Sequence, residues 1–181
     1  MHLIEFVGDV GSGKSTQARW LAETLGASWR HISSGQLLRA RANAEEAAAL
    51  EAGDMTPDEV ILPLMFAELM HAKVNGLNLI LDGFPRNMLQ YQEFKAAGWQ
   101  LTAVVELLVA KEESRRRQLG RGRPGDTEEN WQIRHDFYMT ETQSMLRAMV
   151  ADGATHIKVN GNNSPEQTRE AVLRAWEESL K

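Results

Sequence analysis

The sequence contains no cysteine, which excludes disulfide bonds and zinc sites built on thiolates. It also lacks the excess of lysine and arginine that general nucleic-acid-binding proteins carry, because its formal net charge is −5 at pH 7. No apolar run is long enough to span a bilayer, and the first residues do not resemble a signal peptide. These absences predict a cytoplasmic protein that binds neither nucleic acid nor membrane.

The chain of 181 residues suits a single domain with a sizeable hydrophobic core. Its five histidines are scattered without the spacing of metal ligands, so we interpret them as surface or core residues. In an acidic chain, any site for a phosphorylated ligand has to be a local cluster of basic side chains.

A glycine-rich stretch at residues 8–16 fits the phosphate-binding loop pattern G-x-x-x-x-G-K-[ST]. It follows an apolar run, residues 3–7, and precedes apolar residues at helical spacing, so a strand and a helix are predicted on either side. Backbone N–H groups of such a loop point at a polyphosphate, while Lys14 reaches the outer phosphates and Ser15 offers its hydroxyl to magnesium. The alternative is a glycine-rich surface turn, which the flanking strand and helix disfavour. The residues predicted to hold a nucleoside triphosphate here are Gly8, Gly11, Ser12, Gly13, Lys14, Ser15 and Thr16.

Short apolar segments alternate with helical segments along the chain. Strands are predicted at 3–7, 29–32, 77–81, 101–109 and 155–159. Strands that alternate with helices form a parallel sheet covered on both faces, so the predicted fold class is α/β, a three-layer P-loop NTPase-type α/β/α fold with five strands. Helices are predicted over 42–52 and continuously over 127–150, and another is expected to begin at Thr56 and Pro57 and to contain Pro63. Ser164 is expected to cap the last helix.

Asp82 follows the third predicted strand, at the sheet edge where ligands of such folds gather. It either holds a magnesium-bound water beside the phosphate loop or is an ordinary turn aspartate before glycine.

Several arginines fall in loops or at helix starts, and arginine gives bidentate, permanently charged donors for phosphate. Their convergence would suit transfer of a phosphoryl group between two phosphate chains. The arginine run 115–117, by contrast, is interpreted mainly as a solvated helix face. These arginines are Arg39, Arg86, Arg121, Arg123 and Arg134.

Several segments together resemble the adenylate kinases, and more broadly the nucleoside monophosphate kinases, along almost the whole chain. The matching segments are GDVGSGKSTQ (8–17), HISSGQLLR (31–39), GDMTPDEV (53–60), LDGFPRNMLQ (81–90), 121–134 and Tyr138. The DGFPR block after a strand is highly specific to that family. The resemblance implies one domain with a core of 1–32, 74–119 and 129–181, a helical monophosphate-binding insertion of about 33–73, and a short lid of about 120–128 that binds no zinc.

The resemblance further implies a monomeric, magnesium-dependent enzyme that transfers a phosphoryl group reversibly from ATP to AMP, giving two ADP. The residues it implies as catalytic are Lys14, Arg86, Arg123 and Arg134. Arg121 and Gly161 join the phosphate loop in binding ATP, and Ser15 and Asp82 hold magnesium through water. The residues implied for AMP are Ser34, Arg39, Met55, Thr56, Gly83, Arg86 and Gln90. Ser34 and Gln90 favour AMP, because pyrimidine-selective relatives usually carry alanine and asparagine there.

Two positions depart from the family's pattern. Gln36 stands where an aspartate usually supports the water shell of the metal, and Gly125 replaces the first of two lid aspartates, leaving Asp126. Two alternatives therefore stay open at this stage. One is a nucleotide-binding regulatory protein with weak catalysis. The other is a kinase for another nucleoside monophosphate (CMP, UMP or GMP) or for a shikimate-like small molecule.

Overall fold

A computed structural model of the chain describes residues 1–41, 57–123 and 125–180. It contains a parallel sheet of β1 (Leu3–Gly8), β2 (Trp29–Ser33), β3 (Asn78–Asp82), β4 (Ala103–Leu108) and β5 (Thr155–Asn160). The spatial order is β2-β3-β1-β4-β5, and Ile4 of β1 lies opposite Ile80 of β3 and Ala103 of β4. The predicted α/β fold class with a five-stranded parallel sheet is confirmed.

The helices that the structure describes alternate with these strands. They are α1 (Lys14–Leu25), α2 (Ser34–Arg41), α3 (Asp58–Val74), α4 (Met88–Ala96), α5 (Lys111–Gly120), α6 (Glu128–Phe137), α7 (Gln143–Ala151) and α8 (Pro165–Ser179). The side chains of Asn87, Thr127 and Ser164 cap α4, α6 and α8 by accepting a backbone N–H three residues on. None of the described helices combines the length and the apolar character needed to cross a bilayer.

The two faces of β1 pack against different helices. Leu3 and Val7 belong to a core shared with α3, α4 and α7, while Ile4 and Phe6 belong to a core shared with α1 and α8. Burying each such apolar side chain contributes about 1.5–3 kcal/mol, so a one-residue slip of the strand would be costly. Glu5 breaks the pattern, because it is fully buried on an otherwise apolar strand.

Three helix predictions need comment. The helix predicted over 127–150 is not a continuous α-helix, since a π-helical segment, Tyr138–Thr142, separates α6 from α7. Hydrophobic periodicity does not reveal a single wide turn with i→i+5 hydrogen bonds. Helix α3 contains Pro63 as expected but begins at Asp58, with Pro57 in an extended conformation as its N-cap. The helix predicted over 42–52, and Thr56, lie outside the described residues.

Candidate active site

The loop between β1 and α1 has the backbone of a phosphate cradle. Gly11 and Gly13 have φ angles of 75° and 91°, a region that favours glycine. A Cβ on Gly11 would also collide with the backbone carbonyl of Ser114 in α5. Helix α1 begins at Lys14, immediately after Gly13, so its positive end and free N–H groups follow the loop directly.

A cavity of about 430 Å³ opens beside this loop at the carboxyl edge of the sheet. The predicted site residues that line it are Gly8, Gly11, Gly13, Lys14, Ser15, Thr16, Arg39, Asp82, Gly83, Arg86, Arg121, Arg123 and Arg134. The structure thus brings together the phosphate loop and arginines from α2, from the segment after β3, from the predicted lid and from α6. The sequence suggested this convergence, and the fold provides it.

The arginines of the cavity lie close enough to affect one another. Burial lowers the pKa of Arg39, and the charges of Arg123, Arg121 and Arg86 lower it further. Burial likewise lowers the pKa of Arg134, with Arg121 and Arg86 acting in the same direction. Guanidinium groups still keep their charge at neutral pH, so the cavity is a region of like positive charges that a polyanion would neutralise.

Lys14 lies among acidic groups at the floor of the cavity. Its ammonium donates a hydrogen bond to the backbone carbonyl of Asp9 at 3.2 Å. Burial lowers the pKa of Lys14 and Arg86 acts in the same direction, whereas the charges of Asp82, Asp9 and Glu5 raise it. Lys14 thus lines the cavity beside the loop, with its ammonium bonded to the loop backbone.

Asp82 is a buried carboxylate at the end of β3. Burial alone would raise its pKa, but His31 at 3.7 Å, the charge of Lys14 and the hydroxyl of Ser15 bring the pKa to about 2. Among the described residues no three His, Asp or Glu side chains form a ready metal site. Magnesium usually takes one or two carboxylates together with substrate phosphates and water, so Asp82 and Ser15 fit it.

Two residues predicted for AMP do not line the cavity. Ser34 is buried and its hydroxyl donates to the carbonyl of Gly83 at 2.6 Å. The buried Gln90 accepts from the backbone N–H of Arg86 at 2.8 Å and donates to Asp58 at 2.7 Å. Both side chains therefore brace the segment after β3. The other two, Met55 and Thr56, lie outside the described residues.

A second cavity of about 540 Å³ lies on the other side of the phosphate loop. Ser12 and Gly161 line it, together with Gly13 and Thr16, which also line the first cavity. Arg117 lines both cavities and donates to the carbonyl of Gly161 at 2.7 Å. The solvated-face interpretation therefore fails for Arg117. Its helical spacing of four residues from Arg121 was the signal that could have singled it out.

The predicted surface role holds for Arg115, which pairs with Glu128 on exposed surface, where such ion pairs contribute little. Arg116 is exposed and pairs with Glu113, but it also lines the second cavity. Glu5 was not predicted as a site residue, although it lines the main cavity and neither of its carboxylate oxygens has a hydrogen-bond partner. An acidic residue inside an otherwise apolar strand was the available signal.

The two departures from the family's pattern lie in different surroundings. Gln36 is an exposed residue of α2 and, unlike its neighbour Gly35, does not line the main cavity. Gly125 has a φ of 77° and its carbonyl accepts from Asn130 at 3.0 Å. An aspartate at 125 would have to adopt a strained left-handed backbone in this conformation.

Comparisons with known proteins match this chain to one family over most of its length. A family model described as adenylate kinase matches residues 6–153. Relatives named adenylate kinase include one from Synechococcus sp. (strain WH7803), 33% identical over 97% of this chain and 96% of its own length. One from Maricaulis maris is 32% identical over 98% of this chain and 100% of its own. One from Micrococcus luteus is 34% identical over 93% and 87%.

Proposed function

Because the chain belongs to the adenylate kinase family, we propose that it is a phosphotransferase that moves the terminal phosphoryl group of ATP to AMP. The reaction is reversible and yields two molecules of ADP. The observation that carries this proposal is the meeting of the phosphate loop, Lys14 and arginines of four separate segments in one cavity. An acidic protein concentrates its positive charge there, which suits a site holding two phosphate chains.

The catalytic roles proposed here are those that the family resemblance implies, and the position of the side chains around one cavity supports them. The loop amides and Lys14 hold the phosphates of the donor ATP. Arg121 covers the donor, and Gly161, which lines the second cavity, also contributes to binding ATP. Arg86 is oriented by the hydrogen bond from its Nε to the carbonyl of Gly83, 2.8 Å long, and grips the acceptor phosphate together with Arg39. Arg123 and Arg134 neutralise charge on the transferred group. No covalent intermediate is needed, because in-line transfer is catalysed by positioning and charge neutralisation.

Magnesium bound with ATP is part of the proposal. Ser15 and Asp82 would hold it, the aspartate through water, and the ion supplies charge neutralisation between the phosphates when bound. Asp82 is suited to this because its lowered pKa keeps it ionised at neutral pH.

Water has to be kept from the donor, or ATP would be hydrolysed. We assign closure to about 33–73 and to the lid of about 120–128, which carries Arg121 and Arg123. We propose that the enzyme acts as a monomer, as the family resemblance implies, and the nucleotides it uses make the cytoplasm the expected location.

AMP is the proposed acceptor because the matched relatives are named adenylate kinases and because Ser34 and Gln90 are the residue types that the family resemblance associates with AMP. The test supplies purified protein with ATP, magnesium and AMP, CMP, UMP or GMP in turn, and measures diphosphate formation. ADP from AMP alone supports the proposal. Preference for another monophosphate would change the acceptor, and binding without turnover would leave a nucleotide-binding protein.

A further inference from the structure

A buried hydrogen-bonded cluster joins the phosphate loop to the two helices that flank the lid. The Oδ2 atom of Asp9 lies 2.7 Å from Nδ1 of His135 in α6 and accepts from the hydroxyl of Ser114 in α5 at 3.0 Å. The indole N–H of Trp131 donates to the same hydroxyl at 3.1 Å. These four residues, which we call the loop clamp, are each at most 9% exposed.

The chemistry of the groups fixes their roles. A carboxylate only accepts hydrogen bonds, so Nδ1 of His135 carries the proton in its bond to Asp9. The other oxygen of Asp9 accepts from the backbone N–H of Val10 at 2.7 Å. The Ser114 hydroxyl accepts from Trp131 and has a second acceptor in the carbonyl of Val10, at 2.7 Å. A buried hydrogen-bonded network of this kind restricts the movement of its members.

The loop clamp is connected at two points to residues that line the catalytic cavity. Asp9 belongs to the phosphate loop, its carbonyl accepts from Lys14, and its charge raises the pKa of Lys14. His135 directly follows Arg134, which lines the cavity. The fit of Gly11 against the carbonyl of Ser114 adds a second contact between loop and helix. The clamp therefore sets the spacing between the loop and α6.

We propose that Asp9, Ser114 and His135 are positioning residues that, through the hydrogen bond between Asp9 and His135, hold Lys14 and Arg134 so that both act on one phosphoryl group. The inference rests on the proposed function, because it assigns those two residues to the same transfer. Misplacing a catalytic group by an ångström can lower a rate about 100-fold, so a rigid link of this kind matters for turnover.

Two substitutions at one position separate positioning from packing. In His135→Asn the amide nitrogen stands near the place of Nδ1 and can still donate to Asp9, but the ring is lost. In His135→Phe the ring keeps its stacking on Trp131, 5.0 Å away and inclined by 13°, but nothing donates to Asp9. We expect His135→Asn to keep kcat within about threefold and His135→Phe to lower it about tenfold or more.

The Michaelis constant for AMP should change less than about twofold in His135→Phe, because Arg39 and Arg86 lie outside the clamp. His135→Phe with wild-type kcat alongside an impaired His135→Asn would overturn the proposal, since packing alone would then explain the cluster. Melting temperatures by circular dichroism accompany every variant.

Asp9→Ala provides the second test and serves if His135→Phe does not fold. Alone it should lower kcat, and combined with His135→Phe it should cause little further loss, because both remove the same hydrogen bond. Fully additive losses, or an Asp9→Ala enzyme with wild-type kcat, would overturn the proposal.

His2 gives the matched control. It also stacks on a tryptophan, Trp29, at 6.0 Å and 16°, but at the exposed start of β1. His2→Asn and His2→Phe should both leave kcat unchanged. Failure of the wild type and these controls to form ADP from AMP would overturn the proposed function. Normal wild-type activity with equally active His135→Phe would overturn only the positioning role.

Discussion

The carboxylate of Asp126 accepts two hydrogen bonds from the guanidinium of Arg121, at 3.0 Å from Nε and 2.5 Å from Nη2. It also accepts from the side chain of Gln118 and, at 2.9 Å, from the backbone N–H of Arg123. The aspartate that the lid retains beside Gly125 thus orients the segment that carries two cavity arginines.

Asp126→Asn should raise the Michaelis constant for ATP about tenfold. A lost hydrogen bond to a charged group costs about 1.5–3 kcal/mol, and the amide oxygen of asparagine recovers part of this because it can still accept a hydrogen bond. Steady-state kinetics at saturating AMP measure it. Asp152→Asn is the control, because Asp152 also pairs with a cation, Lys95 at 2.5 Å, but on exposed surface and outside both cavities. Equal constants for the Asp126→Asn and Asp152→Asn enzymes would contradict the role given to Asp126.

Lys14→Ala should lower phosphoryl transfer by about two orders of magnitude or more while the fold stays intact, because removing a group that stabilises transition-state charge costs several kcal/mol. The fold should survive because Lys14 is only half-buried and makes one backbone hydrogen bond. Turnover and the circular-dichroism spectrum are measured on the same sample, with Lys95→Ala as control. A near-normal rate with an intact spectrum would mean that the loop is not catalytic.

Arg86→Ala and Arg123→Ala should damage different steps. Arg86 is fixed beside Gly83 and is proposed to bind the acceptor phosphate, so its loss should raise the Michaelis constant for AMP as well as lower kcat. Arg123 lies in the lid segment, and its loss should act chiefly on kcat. Varying AMP at saturating ATP for both enzymes measures this, and indistinguishable kinetic defects would refute the division of roles.

Gln36→Asp should lower the magnesium concentration needed for half-maximal rate and raise kcat up to about tenfold, or about 1 kcal/mol of barrier. A carboxylate accepts hydrogen bonds from the waters of the metal more strongly than an amide does. The exposed position of Gln36 on α2 supports the competing view that it faces solvent only. Magnesium titrations of both proteins decide, because superimposable curves would exclude a metal role at 36.

Glu5→Gln should make thermal stability less sensitive to pH. Burial, and then the charge of Asp82, raise the pKa of Glu5 well above its usual value. Folding therefore favours the neutral acid, and the stability this contributes is present below the usual glutamate pKa and is lost as pH rises through the raised value.

Melting curves of wild type, Glu5→Gln and the exposed-residue control Glu23→Gln, from mildly acidic to mildly alkaline pH, test this. The wild type and Glu23→Gln should lose stability with rising pH relative to Glu5→Gln. Parallel curves for all three would show that Glu5 does not titrate in that range.

The phosphate loop could be predicted because pattern and structure are both local there. Residues 8–16 contain the glycines with positive φ angles, Lys14 and the hydroxyl of Ser15 within nine consecutive positions. The strands were predictable for a similar reason, since buried parallel strands are short apolar runs. The order of the strands in the sheet was not predicted, and only the structure shows it.

The remaining features depend on contacts between distant segments. Arg117 and Gly161 are 44 residues apart, and only the closing of the second cavity brings them together. The hydrogen bond between Asp9 and His135 spans 126 positions and leaves no trace in local composition. Gln90 was expected to face the acceptor, but its amide is bound to Asp58 and to the backbone of Arg86, which a motif alone does not show.

The π-helical segment Tyr138–Thr142 makes the length of this part of the chain as important as its composition. In an α-helix successive side chains are rotated by about 100° around the helix axis. One extra residue in a wide turn therefore changes which side chains of the next helix face the core. Before the segment, Arg134 lines the cavity; after it, Met145 and Met149 are fully buried in the core. Deleting one residue between them would force either the arginine away from the phosphates or the methionines into water. Substitutions on the exposed side of this turn are therefore compatible both with the position of Arg134 at the cavity and with the burial of the two methionines. A single-residue deletion is not.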